Sequence, residues 1–151
     1  MLPVKSILWP SDDSTSAKRA LEVAIELAKQ FGAKLYGLQV VSQVPTFTET
    51  GPPITGLDIP RYESELKQAA EKALKETFAE KVPADTQTET AIRLGKAAEE
   101  IIGFAKEKGI ELIVMSTHGR TGLSHLMIGS VAESVIRHSP IPTLIIPSRR
   151  D

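Results

Sequence analysis

The strongest constraint on the fold of this chain is a continuous apolar run, Leu112 to Met115, set between polar neighbours and followed by a loop that carries glycines. A short strand with apolar side chains at consecutive rather than alternate positions must be covered on both faces. A parallel sheet between layers of helix provides that cover. The chain then runs through Ser116, Thr117, His118, Gly119, Arg120 and Gly122 to Gly129-Ser130-Val131-Ala132-Glu133. Ser130 and Glu133 have the Ser-x-x-Glu spacing of a capping box, so a helix is expected to start there with Ser130 as its cap.

Strand, glycine loop and helix start together are suited to a polyanion. Glycines let backbone N–H groups approach a phosphate, and a helix N-terminus supplies unpaired donors and a favourable dipole. Arg120 adds one positive charge. The connection, about a dozen residues, is long beside the roughly 2–6 usual for such loops, which favours a functional role. A purely conformational reading also stands: Gly119, Gly122 and Gly129 can serve positive φ angles in a long turn, and Ser130 can be a helix cap and no more.

The rest of the chain alternates strand and helix. Val4 to Trp9, ending at Pro10, reads as the first strand. Ser11-Asp12-Asp13-Ser14 then supplies capping side chains before a helical stripe at Ala17, Leu21, Ala24, Ile25 and Ala28, closed by Gly32. Lys34 to Val41 is β-like, which completes a βαβ unit. Val44 to Pro60 is dense in turn formers and is expected to be a mobile loop within the domain.

Arg61 to Lys81 has helical spacing, with Leu66, Ala69, Ala70, Ala73, Leu74 and Phe78 as the expected buried face. Thr86 to Leu94 reads as the third strand. A helix with Ala98, Ile101, Ile102 and Ala105 inward follows, stopped at Lys108-Gly109. After the glycine loop, a helix runs from Ser130 to His138, and prolines 142 and 147 bracket a last strand, Thr143 to Ile146. Such a short, proline-bounded strand suits a sheet edge. Five strands and four helices in this order predict an α/β fold, a doubly wound Rossmann-like parallel sheet.

The 151 residues are expected to form a single domain, 1–151, without internal repeat. The 18 Lys and Arg against 19 Asp and Glu give no electrostatic reason to expect nucleic acid or membrane as a partner. The chain has no cysteine, which excludes disulfides and thiolate chemistry. There is no signal-peptide run near Met1 and no apolar stretch long enough to span a bilayer, so the expected location is cytoplasmic.

Ser116-Thr-His-Gly119, nine residues, then Gly129-Ser130 resembles the nucleotide-loop motif of the universal stress protein family, Gly-x-x-Gly, nine residues, Gly-Ser/Thr, with Ser116 in place of the first glycine. Pro10 and Asp12 match that family's first-strand Pro-x-Asp. The resemblance covers nearly the whole chain and implies a sheet of order 3-2-1-4-5. It implies that Asp12 contacts the nucleoside and that Val40 meets adenine through its backbone. The phosphates would then lie on Gly119, Arg120, Gly129, Ser130 and Val131, within a binding set that also takes in Pro10, Ser116, Thr117, His118 and Gly122. It further implies a homodimer through Thr143, Leu144, Ile145 and Ile146. From the residues alone, Asp12 reads equally well as a helix cap, and the last strand could instead be covered by the tail, Ser148 to Asp151.

Other nucleotide motifs are absent: there is no Gly-x-x-x-x-Gly-Lys-Ser/Thr and no Gly-x-Gly-x-x-Gly after the first strand. His118, His125 and His138 lack metal-ligand spacing, so no metal site and no catalytic residue is assigned. Two function classes follow. One is a stress-response regulator binding ATP or AMP, with Mg²⁺ held by the phosphates. The other is a stress protein with the same fold and an empty pocket, acting through its dimer surface and partners; slow ATP hydrolysis or autophosphorylation is a weaker third reading.

Overall fold

The computed structural model describes residues 2–43, 58–117 and 128–148. The strands are β1 (Ser6–Ser11), β2 (Lys34–Val41), β3 (Thr88–Leu94), β4 (Leu112–Ser116) and β5 (Thr143–Ile146), and the helices are α1 (Thr15–Phe31), α2 (Ile59–Lys81), α3 (Ala97–Glu107) and α4 (Ser130–His138). The strands form one sheet, all pairs parallel, in the order β3-β2-β1-β4-β5. The fold class, the strand order and the four helices expected from sequence are those observed.

Alternate strand residues point to opposite faces, and the core accordingly divides in two. Ile7, Trp9, Leu35 and Val114 pack with Ala17, Leu21 and Ala24 of α1 and with Leu74 and Phe78 of α2. Leu8, Tyr36, Leu38, Ile113 and Met115 pack with Ile101, Phe104 and Ala105 of α3 and with Ala132 and Val135 of α4. Helices α1 and α2 therefore cover one face and α3 and α4 the other. The run Leu112 to Met115 is continuous because β4 needs apolar side chains on both.

Several expectations need correction. The N-cap of α4 is Gly129, with φ −60° and ψ 154°, and among the described residues no side chain caps this helix. Ser130 is its first residue, and Glu133 pairs with Arg137 at 2.7 Å instead of closing a capping box. At α1 the cap is Ser14, whose hydroxyl accepts from the Ala17 N–H at 3.1 Å. Helix α2 begins at Ile59, capped by Asp58, so the expected loop gives way to helix before Pro60; its remainder, 44–57, lies outside the described residues. On α2, Ala69 is exposed and the buried face narrows to Ala70, Leu74 and Phe78. On α3, Phe104 is buried, whereas Ile102 is only half-buried.

Strand β1 starts at Ser6 and continues through Pro10 to Ser11, later than expected at both ends. Its pairing with β2 persists to Ser11↔Gln39, whereas its recorded pairing with β4 covers only Ile7↔Leu112 and Leu8↔Ile113. The Lys5 carbonyl accepts from Lys34 on β2, and the Ser6 carbonyl accepts from Glu111 at the start of β4. By this alternation the nitrogen of Pro10 is on the β4 side, so the next ladder bond to β4 has no donor and the pairing ends at Leu8. The β1–β4 ladder therefore stops at Leu8, and a crevice lies above that point.

Candidate functional site

The crevice lies at the carboxyl ends of the strands, where the chain turns from building the sheet in one direction to building it in the other. That switch point is where open α/β sheets bind ligands. A cavity of about 200 Å³ occupies it, room for one small molecule. Its apolar part is made by Leu38 and Val40 of β2, Met115 of β4 and Ile101 of α3, with Ala97 at the start of that helix. Its polar rim carries Ser11, Asp12, Ser116, Thr117 and Ser130.

The turn from β1 into α1 places Asp12. Asp12 Oδ1 accepts from the Ser14 N–H at 3.0 Å, and Asp13, at φ 63°, takes the left-handed conformation that bends the chain into the helix. Asp12 thus shapes the turn that precedes α1 and at the same time lines the cavity, while the cap itself is Ser14. Trp9 Nε1 donates to the Ala17 carbonyl at 2.8 Å in the buried interior, which fixes the first turn of α1 against β1.

The opposite wall is the end of β4 and the start of α4. The Thr117 carbonyl accepts from the Gly129 N–H at 2.6 Å, and the Thr117 N–H donates to the Ile146 carbonyl at 3.2 Å. Gly129 is buried, so its amide closes the wall and is not presented to the cavity. The first-turn amides of Ser130, Val131 and Ala132 come next. They have no acceptor within the helix, no side chain among the described residues caps them, and all three residues line the cavity. Among the described lining residues Asp12 is the sole ionisable one, so any anion held here rests on backbone donors and the helix dipole.

Of the residues expected from sequence to share a site, Pro10, Asp12, Val40, Ser116, Thr117, Gly129, Ser130 and Val131 all line this one cavity. His118, Gly119, Arg120 and Gly122 lie outside the described residues. The sequence reading missed Ser11, Ala17, Leu38, Ala97, Ile101, Met115 and Ala132. For Leu38 a signal existed, since it is two positions before Val40 on the same strand and so shares its face. Ala97 and Ile101 gave none, because which helix covers the crevice is settled by the crossover and not by local pattern. Among the described residues no group of three or more His, Asp or Glu could hold a metal ion, and no helix is long and apolar enough to cross a membrane.

Comparison with known proteins gives this arrangement a family. A universal stress protein of Methanocaldococcus jannaschii, MJ0531, is 35% identical over 142 residues, 94% of this chain and 81% of the relative. The universal stress protein YxiE of Bacillus subtilis is 33% identical over 141 residues, 89% of this chain and 93% of that one. Among solved structures, protein MJ0577 of Methanocaldococcus jannaschii superposes with a TM-score of 0.84 at 24% identity, covering 98% of this chain and 99% of its own. Two further structures share the fold at lower similarity. A universal stress protein in complex with cAMP has a TM-score of 0.60 at 22% identity, covering 95% of this chain and 97% of its own. The universal stress protein of Archaeoglobus fulgidus in complex with dAMP has a TM-score of 0.59 at 19% identity, covering 97% and 99%. The model of the Universal stress protein family matches residues 3–147, all five strands and all four helices included, and the chain belongs to that family.

Proposed function

We propose that this protein is a nucleotide-binding regulator of the stress response that takes ATP or AMP into the crevice between β1 and β4. The observation that carries the reading is the gradient along the cavity: an apolar slot at Leu38, Val40 and Ile101 leads to the first turn of α4, whose amides have no acceptor within the helix, with the Asp12 carboxylate on the rim. A flat base suits the slot, a sugar hydroxyl suits a carboxylate acceptor, and a phosphate suits the amides of Ser130 and Val131. Gly129 then contributes close approach, its own N–H being engaged by Thr117. The cAMP and dAMP complexes of proteins with this fold support an adenine nucleotide as the occupant. Mg²⁺ would enter on the phosphates, since Asp12 is the one carboxylate among the described lining residues.

A cytoplasmic homodimer through β5 belongs to the same proposal. The strand is a sheet edge, it carries no charge, and Leu144 is 38% exposed. Calorimetry with ATP and with AMP, each with and without Mg²⁺, on nucleotide-free protein tests the binding reading, alongside Gly129→Val, which crowds the crevice. Micromolar binding that disappears in the variant is the expected result. Absence of heat in folded wild-type protein would remove the nucleotide from the proposal and leave the partner-binding stress protein as the better account.

A further inference from the structure

Ser148, just beyond β5, fastens together the two walls of the crevice without lining it. Its backbone N–H donates to Thr117 Oγ1 at 3.3 Å, and its hydroxyl lies 3.0 Å from the hydroxyl of Ser16, the second residue of α1. One residue earlier, the Pro147 carbonyl accepts from Arg19 Nη1 at 2.9 Å, a second tie to α1. Thr117 belongs to the β4–α4 wall and is bonded to Gly129. Ser16 is next to Ala17, which belongs to the β1–α1 wall and is held by Trp9. The span between the walls is the mouth of the crevice, above the end of the β1–β4 ladder at Leu8. Above that point Ser148 supplies a hydrogen-bonded cross-tie.

We propose that Ser148 is a positioning residue of the crevice: the bonds to Thr117 and Ser16 set the separation of the Asp12–Ala17 wall from the Thr117–Gly129 wall. The geometry stands by itself, while the consequence for affinity rests on the nucleotide-binding reading. Because the tie hangs from the end of β5, whatever grips the edge strand also acts on the width of the mouth. Local hydrogen-bonded ties of this kind shift the population of an ordered site without touching the ligand.

The test uses the full chain in three variants. Ser148→Pro removes both the N–H that Thr117 accepts and the hydroxyl, Ser16→Ala removes the hydroxyl arm alone, and Ser148→Thr keeps both. Hydrogen exchange of the Gly129 amide, read without any nucleotide, is expected to accelerate in Ser148→Pro and Ser16→Ala and to stay at the wild-type rate in Ser148→Thr. Protection of the central strands should be unchanged in all three, which separates wall order from global stability. AMP affinity is expected to weaken by about five- to tenfold in Ser148→Pro, within the usual range of coupling between sites. Unchanged exchange at Gly129 overturns the positioning role whatever the affinity does, and so does AMP binding by Ser148→Pro as tight as that of wild type. Faster exchange in a protein whose wild type takes up no nucleotide supports the positioning role and defeats the nucleotide reading instead.

Discussion

Phe78 sits directly on Gly37: a Cβ built at that glycine would lie 2.5 Å from Phe78 Cζ and 2.7 Å from Cε1. Gly37 is paired with Trp9 across the β1–β2 ladder, and the rings of Trp9 and Phe78 are 6.0 Å apart at a tilt of 33°. The absence of a side chain at one strand position therefore decides how closely α2 approaches the sheet. Gly37→Ala must displace a buried ring in a packed interior, an overpacking cost of about 1–3 kcal/mol. Trp9, the one tryptophan of the chain, is buried beside the lesion, so its fluorescence in urea reports the loss. Gly37→Ala combined with Phe78→Leu should cost less than the two changes summed. Wild-type stability in Gly37→Ala alone would mean that the ring is not held where it is seen.

Glu89 predicts a pH dependence. It accepts from Lys108 at 3.0 Å and from Lys34 at 3.2 Å on the β3 edge of the sheet. The bond from Lys108, and then that from Lys34, holds the Glu89 carboxyl below its ordinary value against a desolvation effect of opposite sign. The bond to Glu89 likewise leads the causes that raise Lys34. A carboxyl lowered on folding contributes stability above its unfolded pKa, about 4.3, and loses it as pH falls through the lower folded value. A raised lysine contributes below its unfolded pKa and loses that contribution as pH rises through the folded one. Wild type should therefore exceed Glu89→Gln in denaturant midpoint by a constant margin from neutrality down to about pH 5, and the margin should shrink below about pH 4. A margin that grows on acidification would place the origin elsewhere.

Most of the architecture could be read from local pattern, and the exceptions have physical causes. Gly32 was legible as the stop of α1 because only a left-handed residue closes a helix that way, and it has φ 64°. Leu112 to Met115 announced a two-sided strand. The Ser-x-x-Glu pattern at Ser130 misled because a capping box requires its serine outside the helix. Here Gly129, bonded to the end of β4 through Thr117, already holds the cap position. Phe104 was missed although it lies three positions after Ile101 and so extends the same face of α3. The ring is drawn in by Tyr36, at 6.2 Å and nearly edge-on, which only the strand order brings near. The polar half of the site was likewise legible in Asp12, Ser116 and Thr117. Of its apolar half Val40 was expected and Leu38 shared its face, whereas Ile101 and Ala97 gave no signal because they reach the crevice through the crossover.

The two sheet edges differ in a way that predicts how copies of the chain meet. On β3, Glu89 is bonded to Lys34 and Lys108, and Arg93 to Glu107 at 2.9 Å, so that edge carries a row of charge that opposes strand pairing. On β5 the four residues Thr143 to Ile146 carry none, and Leu144 is 38% exposed. If β5 is the dimer edge, Leu144→Lys places a like charge on both sides of a two-fold contact and should leave monomers. Light scattering coupled to size exclusion should give twice the 16.4 kDa chain mass for wild type and the single-chain mass for the variant. A monomeric wild type at all concentrations would sink the homodimer. A variant that remains dimeric would move the contact away from β5, and with it the route by which dimer formation could act on Ser148.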